Sequence, residues 1–400
     1  MKQFISFLVA CLIIVNMQAQ NDTVGIVFAH GSWEQIKALA KAEDKSIFID
    51  CYTEWCGPCK MLSKKVFPQK EVGDLFNAHF INYKVDMEKG EGIMLKEKFN
   101  VRAFPTLVWV DADGNELHKS VGAPKAQALI DIAQLVVDGK GLADLERKYL
   151  LNKEDTTTMN TYLKALANAY EKDKIQGVLA EYFKKVKGTE LLDEYNYNLI
   201  HNYLSDVALP AFLWFDEHKE EFANRYGKEK VERKLYQSYL GYGHSFVSKK
   251  DGQTMVDSAG FRKYKLLLNE RRVEGREKIV AFVEESICRA NNNWDAYIAK
   301  VKSNIEAGYH GQPNAFLYYN WAKAIEKGTD AKIRHYQQAV QWMEDAFTAS
   351  QWPLKNNIVY LNEKVKLLEL AKADQSILDS EKERIETLKQ KVADENAKKN

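Results

Sequence analysis

Glu54-Trp55-Cys56-Gly57-Pro58-Cys59-Lys60 holds two of the chain's five cysteines, three positions apart. The chemistry of that pair decides what must surround it. A structural zinc site needs further Cys or His ligands at short spacing, and His30, His79 and His118 each stand alone. Covalent haem attachment requires His directly after the second cysteine, where this chain has Lys60. A static disulfide and a redox couple remain. The context favours the couple, because the apolar run Ser46 to Tyr52 reads as a buried strand, the pair lies just beyond it, and a helix follows. Cys56 at the helix N-terminus would have its thiolate stabilised by unpaired N–H groups and the helix dipole, making it the attacking sulfur. Cys59, one turn deeper, would resolve the mixed disulfide. Pro58 is tolerated because the first turn needs no backbone donor there.

Around this segment, residues of about 24 to 140 alternate strand-like and helix-like runs, an α/β signature. Ser32-Trp33-Glu34-Gln35 has the form of a capping box opening a helix to Ala42. Further strands are expected at Phe80 to Asp86, Thr106 to Val110 and Glu116 to Val121, the last two joined through Asp113-Gly114. A helix over Ala126 to Val137 runs into Gly139-Lys140-Gly141, which reads as a linker. From 142 onward apolar and aromatic residues recur at helical spacing, ending in a charged helix from Ser380 to Lys398. The expected organisation is a leader at 1–19, an α/β domain at 20–140 and an all-α, helical-repeat-like domain at 142–400. Aromatic runs such as Tyr195-Asn196-Tyr197 and Phe316 to Trp321 suit either a peptide groove or helix-to-helix core packing.

At 400 residues the chain is long enough for two domains. With 57 basic and 56 acidic side chains its net charge is +1, which gives no overall electrostatic case for nucleic acid or anionic membrane as partner. The segment from Met1 to Gln20 has one Lys, an apolar run from Phe4 to Val15 and Ala19 at a cleavage position, the pattern of an export signal. The apolar run is shorter than the ~20 residues of a membrane span. A lipoprotein-type box ending at Cys11 is the minor alternative, since Leu12 to Val15 would leave an apolar segment where a polar tether is expected.

Residues of about 30 to 138 resemble the thioredoxin family. The resemblance rests on Ile49-Asp50-Cys51-Tyr52-Thr53-Glu54-Trp55-Cys56-Gly57-Pro58-Cys59-Lys60-Met61, on Phe104-Pro105-Thr106 at the place of that family's cis-proline loop, and on Val121-Gly122-Ala123 at its last strand and turn. Lys64 to Val72 is more similar to exported thiol-disulfide interchange proteins such as the C-terminal domain of DsbD. The resemblance implies a thioredoxin-like protein-disulfide reductase cycling a Cys56–Cys59 disulfide without cofactor or metal. Asp50 would be the buried acid that takes the proton from Cys59. Pro105 would set the backbone of Phe104 and Thr106 for a substrate strand, Trp55 and Tyr52 would wall the site, and Trp55, Gly57, Pro58, Phe104, Thr106 and Gly122 would bind substrate. The lysine that the family places near the acid would fall at Asn82, with Lys84 as a substitute; Cys51 and Cys288 would be inert. Implied partners are protein disulfide substrates and an upstream electron donor, such as a membrane thiol-disulfide transporter; the implied location is exported, in a bacterial periplasm. The competing reading makes the helical domain the functional, partner-binding part and the redox domain an inert or regulatory appendage.

Overall fold

Alternation along one strand divides the core of the first unit in two. The computed structural model describes residues 24–250, 253–351 and 354–397; the expected leader, with Cys11 and Ala19, lies outside them. In β2 (Ser46–Tyr52) successive side chains point to opposite faces. Ile47, Ile49 and Cys51 join a cluster with Trp33, Leu95 and Val108, while Phe48 joins one with Leu62, Phe76, Leu107 and Leu129. Asp50, two residues from Phe48, therefore faces the second cluster.

The elements carrying these clusters are β1 (Phe28–Ala29), α1 (Trp33–Glu43), β2, α2 (Gly57–Met61) running into a π-helical turn (Leu62–Val66), and α3 (Lys70–His79). They continue with β3 (Phe80–Asp86), α4 (Gly92–Lys98), β4 (Thr106–Val110), β5 (Glu116–Val121) and α5 (Ala126–Val137). The sheet order is β1-β3-β2-β4-β5, with β1 and β2 parallel to β3 and with β4 antiparallel to both β2 and β5. Ser32 caps α1 as expected, its hydroxyl accepting from Gln35 N at 3.4 Å while Gln35 Oε1 accepts from Ser32 N at 2.8 Å. Gly114, at φ +87°, turns the β4–β5 hairpin, and Asp111 accepts from Asp113 N and Asn115 N within it.

By packing the chain divides into a unit ending at Tyr182 and a second beginning at Phe183. The Gly139-Lys140-Gly141 stretch had suggested a boundary at 140–142. Three more helices, α6 (Leu142–Leu151), α7 (Thr156–Asn168) and α8 (Lys172–Tyr182), belong instead to the first unit, α6 and α7 lying against the edge strand β5. A Cβ on Gly141 would come within 2.6 Å of Leu117 O, so glycine is there for close approach rather than for freedom. Leu142 N, at the start of α6, donates to Nδ1 of the buried His118 at 3.2 Å. Lys119 is buried in β5 and donates to Phe99 O at 3.0 Å and to Glu171, just beyond α7. These bonds join residues the linker-like composition would have left independent.

In the second unit, helices α9 (Glu194–Tyr203), α10 (Pro210–Glu217), α11 (Lys219–Tyr226) and α12 (Lys228–His244) lead to a two-stranded antiparallel hairpin, β6 (Val247–Lys250) and β7 (Gln253–Val256), which the sequence pattern did not signal. Helices α13 (Ser258–Glu270) to α19 (Gln375–Ala397) follow, and α16 (Ala315–Lys327) to α19 pack each on the next. Tyr197 and Trp321 are buried, the core reading of those aromatic runs, whereas Phe316 is exposed. Among the described residues no helix is long and apolar enough to cross a membrane.

Candidate redox site

β2 ends at Tyr52, and the turn Thr53 to Trp55 delivers Cys56 to the N-cap of α2, with Cys56 N donating to Thr53 O at 3.1 Å. Pro58 falls in the first helical turn, where its missing donor costs nothing. Cys56 and Cys59 form a disulfide, and Cys56 Sγ accepts the backbone N–H of Cys59 at 3.1 Å. Both sulfurs' residues are equally buried, 2% exposed. In this oxidised form the two cysteines therefore differ in position and hydrogen bonding, not in exposure. An added Cβ at Gly57 or at Gly122 would meet no atom within 4 Å, so both backbone positions border open space.

Trp55 is 63% exposed and is held from two sides. Its Nε1 donates to Glu88 at 2.8 Å, and its ring meets Phe104 edge-on with centroids 5.9 Å apart. That contact links the cysteine turn to the Phe104-Pro105-Thr106 loop, in which the Phe104–Pro105 peptide bond is cis. Gly122 N donates to Pro105 O at 2.9 Å, tying the loop after β5 to the same place. Thr106 is fully buried, with its hydroxyl donated to Ala103 O at 2.7 Å and its backbone register set by Cys51 and Val121. Its side chain thus supports the loop rather than facing solvent.

Asp50 is completely buried, and Lys84 Nζ lies 3.0 Å from its Oδ2. Among the described residues neither carboxylate oxygen has another hydrogen-bond partner. Burial pushes the Asp50 carboxyl above the usual range, opposed by the charge and hydrogen bond of Lys84. The pairing follows from register: in parallel β2 and β3, Asp50 stands opposite Lys84, while Asn82 stands opposite Phe48 and bonds Val27 O and Asn77. Lys84 therefore takes the place that counting along the family pattern had given to residue 82. Its ammonium also donates to Ser63, four residues after Cys59 on the same helical run, and lies 4.8 Å from the Tyr52 ring centroid. Asp50 is in this way tied to the helix face below Cys59.

The sequence alone did not signal Ser63, Glu88 or Lys96, whose Nζ lies 5.4 Å from the Phe104 ring centroid. Ser63 and Glu88 enter through partners 21 and 33 positions away, and Lys96 through the fold of the cis-proline loop, so no local pattern marks them. Cys51 is buried on the opposite sheet face, with burial raising its thiol well above the ordinary value; Cys288 is half-buried and raised by the same cause. No group of three His, Cys, Asp or Glu placed to hold a metal occurs among the described residues.

The family model described as a thioredoxin-like domain matches residues 33–136. Thioredoxin-T of Drosophila melanogaster is 29% identical over 136 residues, covering 30% of this chain and 83% of that protein. The thiol:disulfide interchange protein DsbD of Yersinia pestis (strain Pestoides F) is 32% identical over 99 residues, covering 24% of this chain but 16% of its own length. The solution structure of a candidate disulphide-isomerase from Bacteroides thetaiotaomicron is 45% identical, covering 30% of this chain and 98% of that one, with a TM-score of 0.28. Residues 33–136, which hold the disulfide, the buried acid and the cis-proline loop, are a thioredoxin-like domain with thioredoxins and DsbD among its relatives.

Proposed function

We propose that the chain is an exported protein-disulfide reductase that cycles the Cys56–Cys59 couple, its helical unit positioning a protein partner. The observation that carries this reading is a disulfide at a helix start with a buried, cation-paired carboxyl beneath the same helix. In the reduced protein the Cys56 thiolate attacks one sulfur of a substrate disulfide, forming a mixed disulfide and releasing the other sulfur as a thiolate. Asp50 accepts the proton of Cys59, whose thiolate then attacks Cys56 Sγ and expels the second substrate sulfur. Two electrons have passed to the substrate, and the protein is left as the disulfide. An upstream dithiol donor, such as a membrane thiol-disulfide transporter, must restore it.

The export pattern before residue 20 supports a periplasmic setting, and the similarity to DsbD, a thiol:disulfide interchange protein, supports protein disulfides as substrates. The Gly57-Pro58 dipeptide supports the reducing direction, with an expected potential at or below about −220 mV when measured by equilibration with glutathione. For the second unit, a cavity of about 760 Å³ bordered by Asp216, Tyr236, Tyr239 and Glu274 supports a partner-binding role. The test is insulin reduction by the whole chain with dithiothreitol as donor, beside Cys56→Ser. A rate no greater than that of the variant would overturn the reading, and a potential near −120 mV would reverse its direction.

A further inference from the structure

The charges on the two sides of the cysteine pair are disposed differently. In the turn before it and the segment after β3, carboxylates are engaged: Glu54 pairs with Lys89, Glu88 accepts from Trp55, and Asp86 accepts from Glu88 N. On the helical run after it, the sequence from Cys56 to Lys70 has no acidic residue. Cys59, Leu62 and Val66 point inward and Ser63 is held by Lys84, which leaves Lys60, Lys64 and Lys65 on the exposed side with Gly57 and Pro58. Among the described residues none of these three lysines forms an ion pair, and the carboxylate whose charge Lys60 feels, Glu54, is already held by Lys89. The three lie within about 8 Å along the axis at ~1.5 Å per residue. On a chain of net charge +1 this is a local concentration of uncompensated positive charge, and it begins one residue after the resolving cysteine.

We infer that Lys60, Lys64 and Lys65 form a docking stripe for an acidic segment of the redox partner, next to the partner's own cysteines. The inference rests on the reductase reading and specifies its substrate class. Long-range attraction raises the encounter rate of an oppositely charged partner and orients it, without requiring a fitted pocket. An acidic segment laid along the stripe brings its disulfide to the Gly57-Pro58 end, beside Cys56 in the sequence.

Three disulfide-bonded peptides with a common core, flanked by Asp, Ser or Lys, test this with the whole chain and dithiothreitol. At about 0.01 M salt, where the screening length is about 30 Å, kcat/KM for the Asp-flanked peptide is expected to exceed that for the Lys-flanked one about tenfold or more. At about 1 M salt, with screening at about 3 Å, the ratio should fall towards one. In the double variant Lys64→Glu, Lys65→Glu the low-salt ratio should invert. Equal rates at low salt in the unaltered protein, or a preference that survives the double substitution, would overturn the docking stripe while leaving the reductase reading intact. Reduction of none of the three peptides would overturn both.

Discussion

Two lysine–carboxylate pairs are buried in the same sheet and have different chemical fates. Strand register puts them on opposite faces, Asp50 beside Leu107 and Lys119 beside Val108. Lys119, whose side chain is 2% exposed, is surrounded by oxygen: Phe99 O at 3.0 Å, Glu171, and Glu116 at 3.6 Å. Asp50 has Lys84 alone, and that lysine is shared with Ser63 and reaches solvent with 26% of its side chain. A saturated buried pair holds its surroundings together because removing one member strands the other. Burial raises the proton affinity of Asp50 and of Glu116 alike, but Asp50 lies beneath the cysteine helix, where a base can load and unload. The difference lies in how many partners each charge finds and in where it stands, not in the residue types.

Removing a member of the saturated pair is the severest way to break this comparison. Lys119→Met would remove the cation held between Glu116 and Glu171, leaving Lys174 as the other positive charge acting on Glu116, and a loss of about 3–5 kcal/mol is expected in denaturant unfolding. A loss below about 1 kcal/mol would show that the pair is not structural.

The next effect belongs to His118, beside Lys119 in β5. Burial pushes its imidazole down to about 4, and the neutral ring accepts Leu142 N. Its folded value lies below the unfolded ~6.5, so the unfolded chain binds more protons between the two. Stability from this group is present above about pH 6.5 and lost as pH falls towards 4, by up to roughly 3 kcal/mol. His118→Gln should flatten that part of the pH–stability curve, measured beside the unaltered protein; an identical slope would contradict the assignment.

Asp50→Asn should slow disulfide turnover at neutral pH about a hundredfold, through loss of the acceptor for the Cys59 proton. Its stability should move the opposite way from that of Lys119→Met. The folded carboxyl titrates above its unfolded value, so stability from Asp50 is full below the unfolded value and lost as pH rises through the folded one. The Asn variant escapes that loss and should be at least as stable at pH 7. An undiminished rate would make Asp50 a structural residue only.

Lys84 gives the smallest and most diagnostic change. Its charge lowers the Asp50 carboxyl against burial, so Lys84→Met should shift the acid limb of the pH–rate profile to higher pH and reduce the neutral rate severalfold, with Lys84→Arg restoring the limb. A profile that does not move would separate the lysine from the proton transfer.

Much of this site was legible in the sequence because its signals are local. The capping box at Ser32 and Gln35, the strand from Ser46 to Tyr52 and the helix-opening Cys56-Gly57-Pro58-Cys59 each depend on neighbours within a few residues. The acid at residue 50 was legible from its place in the motif. Its cation was legible only as a choice, because counting along one strand gives Asn82 with Lys84 as the substitute, and pairing between strands selects Lys84. The same limit hid the role of Gly139 to Gly141. Two glycines around a lysine read as a flexible joint, and only the approach of Gly141 to Leu117 O, with Lys119 reaching a carboxylate 52 positions away, shows a fixed one.

That fixed joint bears on where the molecule can be cut. A fragment ending at residue 140 would carry the whole match to the thioredoxin-like family, yet it would leave the Lys119 ammonium without Glu171 and strip α6 and α7 from β5. An uncovered edge strand offers its unpaired backbone to any other chain and is a template for aggregation. Proteolysis or truncation near residue 140 should therefore yield self-associating material, and a cut after Tyr182 a monodisperse one, even though both retain Cys56 and Cys59.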